Sequence, residues 1–285
     1  MKHRWLCSIL LLSGLAVAGQ AQETFVTETV SMVESRTVAL ELRPGYRTDL
    51  WKVKNTNTEV TDTLIRTDVN ARWSPMDKVE VMMEIPYLRD TVEQTATADD
   101  KDSGLGQVIL GGKYAFCPMG GAALRVELPT GDKDKMLGEG LNIGLALLAE
   151  KAVGPVKTYA NVGYLIKQEY KTTFDVANAA KTKVDPGDIL QLNLAAVYPR
   201  FGLDWVGEAN MNFIGKQKRG GTTVSGSDAT GVALLVGANK KLTEQIGVKA
   251  ALSWEVSEEA ARSVDTVRGS GDYKVTLAAN YRFKY

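Results

Sequence analysis

The last thirteen residues of the chain alternate between apolar and polar side chains. Odd positions from Tyr273 to Tyr285 carry tyrosine, valine, leucine, alanine and phenylalanine, whereas even positions are mostly lysine, threonine, asparagine and arginine. Successive side chains of a β-strand point to opposite faces, so this pattern predicts a strand with one apolar and one polar face. Such a strand fits one sheet of a soluble sandwich, or the wall of a barrel with lipid outside and water inside.

The same alternation recurs in earlier segments, and the whole pattern predicts twelve strands. Their approximate ranges are 36–53, 59–73, 78–90, 104–116, 122–130, 141–151, 156–168, 188–198, 203–215, 230–240, 246–256 and 273–285. Pro44 and Gly45 interrupt the first of these segments, which predicts a kink or a later start.

The connections between the predicted strands differ in length in a regular way. Those after even-numbered strands are short, and those after odd-numbered strands are long and polar, except for a short one near Asn55 and Asn57. Aromatic residues gather near both strand ends, as in the girdles of membrane barrels. Short turns on one side, long loops on the other and an even strand count predict an all-β fold, a transmembrane antiparallel up-and-down β-barrel of about 12 strands.

The start of the chain supports this choice between sandwich and barrel. Residues 1–21 combine a charged start, an apolar core from Leu6 to Ala18 and the small-residue end Gly19-Gln20-Ala21, which together predict a cleaved signal peptide. Residues 22–35 are polar and patternless and are predicted to be an N-terminal leader. Residues 36–285 are predicted to form an outer-membrane β-barrel in a Gram-negative bacterium.

Loss of the signal peptide would restrict the available chemistry. It would remove His3, the only histidine, and Cys7, leaving Cys117 as a single thiol that cannot form an internal disulfide. Two of 34 basic residues and none of 34 acidic residues would be lost, so the net charge would fall from 0 to about −2. A slightly negative net charge does not favour binding to nucleic acid, so no nucleic-acid partner is expected.

Chemical motifs are weak throughout the sequence. Gly104-Leu105-Gly106 lacks the helix and the third glycine of a nucleotide fingerprint. The acidic clusters near Asp100 and Asp132 read as solvated loop charge rather than calcium ligands. Without a histidine there is no ordinary general base. We therefore expect no enzyme activity, no catalytic residues, no metal site and no cofactor.

The inward polar face is the candidate functional site. Charges of both signs alternate with apolar residues on most strands, and such lumen residues set selectivity in an open pore or pair with each other in a closed one. The candidate lumen residues are Glu80, Glu84, Lys113, Arg125, Glu127, Lys157, Glu208 and Arg282. Arg125 and Glu127 lie two apart on one strand face and are predicted to form a constriction.

The central part of the chain resembles a known family. Gly104-Leu105-Gly106, Leu110-Gly111-Gly112-Lys113-Tyr114, Glu127-Leu128-Pro129-Thr130-Gly131-Asp132 and Tyr159-Ala160-Asn161-Val162-Gly163-Tyr164 match its most recognisable run. It is the family of outer-membrane transporters associated with the meta-pathway of phenol degradation. The resemblance implies a barrel and uptake of small, hydrophobic or aromatic compounds. It brings no set of functional residues.

The sequence is compatible with two functions. The first is an outer-membrane channel or transporter for passive uptake of small solutes. The alternative is a non-transporting structural or surface-binding barrel whose long loops contact a partner. Expected partners are outer-membrane lipid, a small-molecule solute, and the barrel-assembly machinery through the C-terminal strand from Tyr273 to Tyr285.

Overall fold

The structure is a computed structural model that describes residue 27 and residues 29–53, 59–94, 100–134, 137–172, 182–257, 266–268 and 272–284. The predicted signal peptide, the first residues of the leader and the connection near Asn55 lie outside the described residues. Among the residues described, no helix is long and apolar enough to cross a membrane.

The described residues form eighteen strands. They are β1 (Thr37–Val53), β2 (Glu59–Met76), β3 (Val79–Gln94), β4 (Asp100–Leu105), β5 (Ile109–Cys117), β6 (Gly120–Glu127), β7 (Asn142–Val153), β8 (Val156–Lys167), β9 (Tyr170–Thr172), β10 (Thr182–Asp185), β11 (Ile189–Arg200), β12 (Leu203–Ile214), β13 (Lys218–Arg219), β14 (Thr222–Thr223), β15 (Ala229–Lys241), β16 (Ile246–Ser257), β17 (Thr266–Arg268) and β18 (Asp272–Lys284).

Twelve of these strands close into one antiparallel barrel. Each pairs with its neighbours in chain order, and β1 pairs with both β2 and β18, so the sheet has no free edge. The barrel strands are β1, β2, β3, β5, β6, β7, β8, β11, β12, β15, β16 and β18. Closure satisfies the backbone groups that an open edge would leave unpaired. The predicted fold class is therefore confirmed.

The connection pattern also agrees with the prediction. Two residues each link β2 to β3, β5 to β6, β7 to β8 and β11 to β12, and four link β15 to β16. The connections after β6, β8 and β12 are much longer and leave from the opposite end. We call the two ends of the barrel the short-turn end and the long-loop end.

The outer face of the barrel is apolar. Large side chains that the alternation places outward are widely exposed, including Leu147 at 63% and Val236 at 66%. Exposed aromatic residues mark both ends. Trp73, Trp205 and Phe283 lie toward the short-turn end, and Tyr87, Tyr164, Phe213, Trp254 and Tyr273 toward the long-loop end. A continuous exposed apolar belt between two aromatic rings fits a lipid environment.

One predicted strand is broken in the structure. The range 104–116 is divided into β4 and β5, which both pair with β3. The Gly106 N–H still donates to the Pro86 carbonyl at 2.9 Å, and the Thr130 hydroxyl oxygen accepts the Val108 N–H at 2.8 Å. The Thr130 side chain thus takes over a backbone contact where the pairing of β3 lapses.

Four predicted loops contain strands. The one between β16 and β18 contains β17, which pairs with the far end of β1. The polar stretch around Asp100 and Asp102 forms β4 against the extended end of β3. The long connections after β8 and β12 together form a separate four-stranded sheet, in the order β14-β13-β10-β9, at the long-loop end. Alternation did not reveal these strands because each described segment is too short to show a period.

The predicted kink at Pro44 is not a break in the strand. β1 runs continuously and keeps its register with β2 on both sides of Pro44. The pairing with β18 is interrupted between Leu42 and Gly45, although the register is the same on both sides. Proline has no N–H to donate, so its effect is limited to one side of the strand.

Candidate functional site

All eight candidate residues belong to the inward face of the barrel. The register places Glu80 opposite Lys113, and Glu208 opposite Ala195. Five of the eight are at most 8% exposed, namely Glu80, Glu84, Lys113, Glu127 and Glu208. Arg125, Lys157 and Arg282 lie opposite the inward positions Gly111, Val197 and Ala39.

A charged network covers the wall formed by β1, β2 and β3. Arg43 pairs with Asp68 at 3.1 Å and with Glu84 at 2.9 Å, and Arg66 pairs with Asp68 at 2.6 Å and also with Glu84. Each arginine therefore bridges the same two carboxylates. Buried charges are tolerated when several opposite charges and hydrogen bonds surround them. This part of the lumen wall is therefore fixed and balanced in charge.

A second buried ion pair lies beside the first network. The Lys249 ammonium on β16 is 2.7 Å from Glu41 on β1. Their side chains are 5% and 7% exposed. Because β18 lies between these two strands, the pair spans β18 and links the first barrel strand to the eleventh.

The described part of the leader, residue 27 and residues 29–35, lies inside the barrel rather than beside it. Thr27, Thr29, Val30 and Val33 are each at most 7% exposed. The chain enters β1 at the short-turn end, where the Arg36 N–H donates to the Ser74 carbonyl at 2.8 Å. This segment has no strand or helix pattern, and nothing in its sequence indicated a position in the lumen.

Three inward glutamates hold the leader in place. The Thr27 N–H donates to Glu208 at 2.9 Å, and the Val33 N–H donates to Glu80 at 2.9 Å. Ser31 lies between Thr27 and Val33 in the chain. Its N–H donates to Glu150 at 2.9 Å, and its hydroxyl donates to the same carboxylate. These carboxylates come from β12, β3 and β7. The leader therefore crosses the lumen from one wall to another.

A lysine completes this attachment. The Lys113 ammonium donates to the Ser31 carbonyl at 3.2 Å and pairs with Glu80 at 3.1 Å. The Lys113 and Glu80 side chains are 6% and 4% exposed. Hydrogen bonds to charged partners are stronger than neutral ones, so a segment without regular secondary structure can be held firmly in a polar lumen.

Above the leader, toward the long-loop end, the lumen holds a cavity of about 130 Å³, which we call the middle cavity. Glu80 and Lys113 line it on the side of the leader. Its other inward lining residues are Met82, Ala123, Arg125, Gly144, Ala146, Asn161, Gly163, Leu165, Gln191 and Asn193. The lining thus combines apolar, amide and charged side chains.

Arg125 of the predicted constriction pair lines this cavity, and Glu127 lies next to Arg125 on the inward face of β6. Arg125 and Glu127 form an ion pair with each other at 2.7 Å along one strand. The Asn142 amide also donates to Glu127 at 2.8 Å. The two charges therefore reach the cavity as a local pair rather than as separate charges.

Two further cavities lie at the ends of the lumen. The outer cavity, about 290 Å³, is lined by Glu139, Lys167, Val184, Ile189 and Ile214 among others, at the long-loop end. The inner cavity, about 410 Å³, adjoins the leader at the short-turn end and is lined by Val33, Glu34, Arg282 and Lys284 among others.

The loops at the outer cavity are tightly packed. The Lys167 ammonium pairs with Glu139 at 2.6 Å, and the Thr172 hydroxyl donates to the Lys133 carbonyl at 2.8 Å. A Cβ added at Gly131 would lie 2.2 Å from the Leu137 carbonyl oxygen, so only glycine allows this close approach. The loops after β6 and β8 therefore form one ordered cover over part of the barrel mouth.

Sequence reasoning missed several lumen residues. Arg43 lies next to the expected kink at Pro44, where the alternation is obscured. Glu150 follows Ala146 and Leu148 on the inward face of β7, so no polar alternation marks that face. Continuing the period of two along β7 would have placed Glu150 inward. Among the described residues, no group of three or more histidine, cysteine, aspartate or glutamate side chains is placed to hold a metal ion.

These features define a class of protein. A closed, twelve-stranded antiparallel barrel with an apolar outside, a polar lumen and long loops at one end has the architecture of an outer-membrane barrel. The chain belongs to the family described as "Putative MetA-pathway of phenol degradation", whose model matches residues 46–263. The resemblance noted from the sequence is thereby confirmed.

Solved structures support the fold. The COG4313 outer membrane channel from Pseudomonas putida F1 matches with a TM-score of 0.71 and 14% identity, over 89% of this chain and 98% of that one. The translocator domain of the autotransporter NalP from Neisseria meningitidis matches with a TM-score of 0.54 and 13% identity, over 86% and 88%. A search of the curated proteins found no match. A channel and a translocator share this fold, so the fold alone does not identify a transported molecule.

Proposed function

We propose that this protein resides in the outer membrane of a Gram-negative bacterium and provides a passive route for small solutes. The apolar belt with its two aromatic rings supports the location. The polar, charge-balanced lumen supports a path that water and solutes can share. The family description supports aromatic compounds as members of the solute class.

One observation carries the proposal. The outer, middle and inner cavities follow one another from the long-loop end to the short-turn end of a single lumen. A barrel whose interior served only as a packed core would fill this space with side chains, as eight-stranded barrels do. Twelve strands enclose more room, and the cavities are the part that side chains leave open.

Two groups of residues lie between the cavities. The apolar row of Leu165, Ile189 and Ile214 lies between the outer and middle cavities. The leader lies between the middle and inner cavities. Passage therefore requires small solutes, and it requires the leader to shift or to leave space beside it.

The test is ion selectivity of purified, refolded protein in planar bilayers. Glu127→Lys leaves two cations beside the middle cavity and should move the reversal potential in a salt gradient toward anion preference. Arg125→Glu should move it toward cation preference. The double exchange Arg125→Glu with Glu127→Lys keeps the net charge and the pairing, and it should return the selectivity close to that of the unmodified protein.

Two results would count against a permeation path. One is a folded protein that shows no conductance and no solute flux into liposomes. The other is conductance whose selectivity is the same in both single variants, because the current would then bypass the middle cavity.

The surface-binding alternative has one observation in its favour. The small sheet of β9, β10, β13 and β14 gives the long-loop end an ordered surface that a pore does not require. A channel that keeps its conductance after the hairpin 217–224 is shortened, while cells lose attachment to a partner, would favour a binding role for this end.

A further inference from the structure

Amide side chains form a ladder on one wall of the lumen. Asn161 on β8 lies opposite Asn193 on β11, which lies opposite Asn210 on β12. In the next inward row, Gln191 lies opposite Asn212 and donates to it at 3.2 Å. Five neutral amides thus stand together on three adjacent strands, across the lumen from the charged wall of β1, β2 and β3.

Part of this ladder lacks a hydrogen-bond partner. Asn161 and Asn210 are 4% and 5% exposed, and among the described residues neither Oδ1 atom has a partner. Asn161 lines the middle cavity, as do Gln191 and Asn193. A buried acceptor without a donor is unfavourable, and a ligand that brings a donor relieves that cost.

The size of the middle cavity limits what it can hold. Its volume is about 130 Å³, whereas an engineered cavity of about 150 Å³ binds benzene. Met82, Ala123, Ala146 and Leu165 supply apolar contact surface. An apolar body of about one ring, with one polar substituent, matches both the size and the mixed lining.

The charged side chains beside the cavity form ion pairs with each other. Glu80 pairs with Lys113 at 3.1 Å, and Arg125 pairs with Glu127 at 2.7 Å. A charged ligand would therefore lose hydration without meeting an available opposite charge, so the cavity favours an uncharged one.

We propose that the middle cavity is a binding site for an uncharged, single-ring solute with a hydroxyl group, whose O–H donates to Asn161 Oδ1 while Met82 and Leu165 contact the ring. This inference rests on the proposed function, since it names the solute class of the same lumen. It assigns specificity to a neutral amide rather than to any of the charged residues.

Phenol and toluene form a suitable pair of probes because they are similar in shape, and a methyl group in toluene replaces the hydroxyl group of phenol. Titration calorimetry of each compound into refolded protein in detergent, corrected with protein-free micelles, gives the two affinities. We expect phenol to bind the unmodified protein more tightly than toluene. Benzoate, which is charged, should bind more weakly than phenol.

Two variants separate the polar and apolar parts of the site. Asn161→Leu removes the acceptor and should weaken phenol binding about three- to tenfold while leaving toluene binding equal or stronger. Gly163→Leu should abolish binding of both compounds. A Cβ there meets Ala146 Cβ at 3.5 Å and Gln191 Oε1 at 3.7 Å, so it fits, and the rest of the leucine fills the cavity.

Asn70→Leu is the matched control, since Asn70 is an inward asparagine on the opposite wall, in register with Glu84. It should leave both affinities unchanged. Equal weakening by Asn161→Leu and Asn70→Leu, or tighter binding of toluene or benzoate than phenol by the unmodified protein, would overturn the proposal. If Asn161→Leu does not fold, Asn193→Leu and Gly163→Leu test the same site.

Liposome swelling on the same preparations separates this inference from the proposed function. Solute flux without a preference for phenol over toluene overturns the binding site alone. Selective phenol binding that Asn161→Leu removes, without any flux, supports the binding site and overturns the channel alone.

Discussion

The burial of a lysine–glutamate pair determines how much the pair contributes to the stability of this barrel. Lys249 and Glu41 are 2.7 Å apart with side chains 5% and 7% exposed, whereas Lys284 and Glu34 are 3.2 Å apart with side chains 66% and 64% exposed. Removing one member of a buried pair leaves an uncompensated charge, while an exposed pair is largely screened by water.

Lys249→Glu should therefore destabilise the barrel strongly, by roughly 3–5 kcal/mol, because it places a second carboxylate beside Glu41. Lys284→Glu is the matched control and should cost less than about 1 kcal/mol. Urea unfolding followed by the heat-modifiable shift on gels measures both. Equal loss of stability in the two variants would show that burial does not govern these pairs.

A neighbouring pair of residues tests the two faces of the wall. Leu194 is 55% exposed on the outer face of β11, and Asn193 lines the middle cavity on the inner face. Leu194→Arg should cost about 2–4 kcal/mol if this position lies near the bilayer midplane, whereas Asn193→Arg enters a polar lumen and should cost less. Yields of folded protein in lipid vesicles give the comparison. Similar yields would mean that the outer face does not contact lipid.

The facing of individual residues was predictable wherever the alternation was clean. Leu194 and Asn193 follow a period of two through β11, and the structure places them on opposite faces. Glu150 was missed because small and apolar residues share its face of β7. The alternation of polar and apolar residues arises because polar side chains avoid the lipid-facing side. A glycine or alanine that faces the lumen is not polar, so it does not mark its face of the strand.

At the scale of elements, the leader is the segment whose role the sequence could not indicate. Its hydrogen bonds run to Glu80, Glu150 and Glu208, which are 47 to 181 residues away along the chain. Local patterns arise from neighbours within one strand or helix, so contacts at such separations leave no periodic trace. The broken strand at β4 and β5 has a similar origin, since Thr130 supplies the bridging contact from another connection.

The three glutamates should determine how firmly the leader closes the lumen. Changing all three to glutamine keeps their size but replaces charge-assisted hydrogen bonds, worth about 1.5–3 kcal/mol each, with neutral ones worth about 0.5–1.5. The leader should then leave the lumen more often, and the mean conductance of single channels should rise severalfold.

Glu255→Gln is the control, because it makes the same glutamate-to-glutamine exchange at an inward position of β16, in register with Ala233. It should leave the conductance unchanged. A triple variant that folds and conducts like the unmodified protein would show that the leader does not limit passage.

At the scale of the whole molecule, the direction of the barrel follows from strand number and connection length. With twelve strands, β1 begins and β18 ends at the short-turn end. The N- and C-terminal ends of the barrel domain therefore lie on the same side. Outer-membrane barrels place short turns in the periplasm and long loops outside the cell. This arrangement of short turns and long loops was predictable because the lengths of the connections can be read from the sequence. The packing of the loops into a second sheet was not, because its strands come from two separate connections.

Cysteine labelling of intact cells tests this orientation. In a Cys117→Ser background, Thr223→Cys places a thiol on the exposed hairpin of β13 and β14, and Asp77→Cys places one in the exposed turn between β2 and β3. A membrane-impermeant maleimide should label position 223 in intact cells, and position 77 only after the outer membrane is permeabilised. Cys117 itself lies at the end of β5 at the short-turn end, so the otherwise unmodified protein should also resist labelling from outside. Labelling at 77 but not at 223 would invert the barrel, and labelling at both in intact cells would be incompatible with a membrane-embedded wall between the two ends.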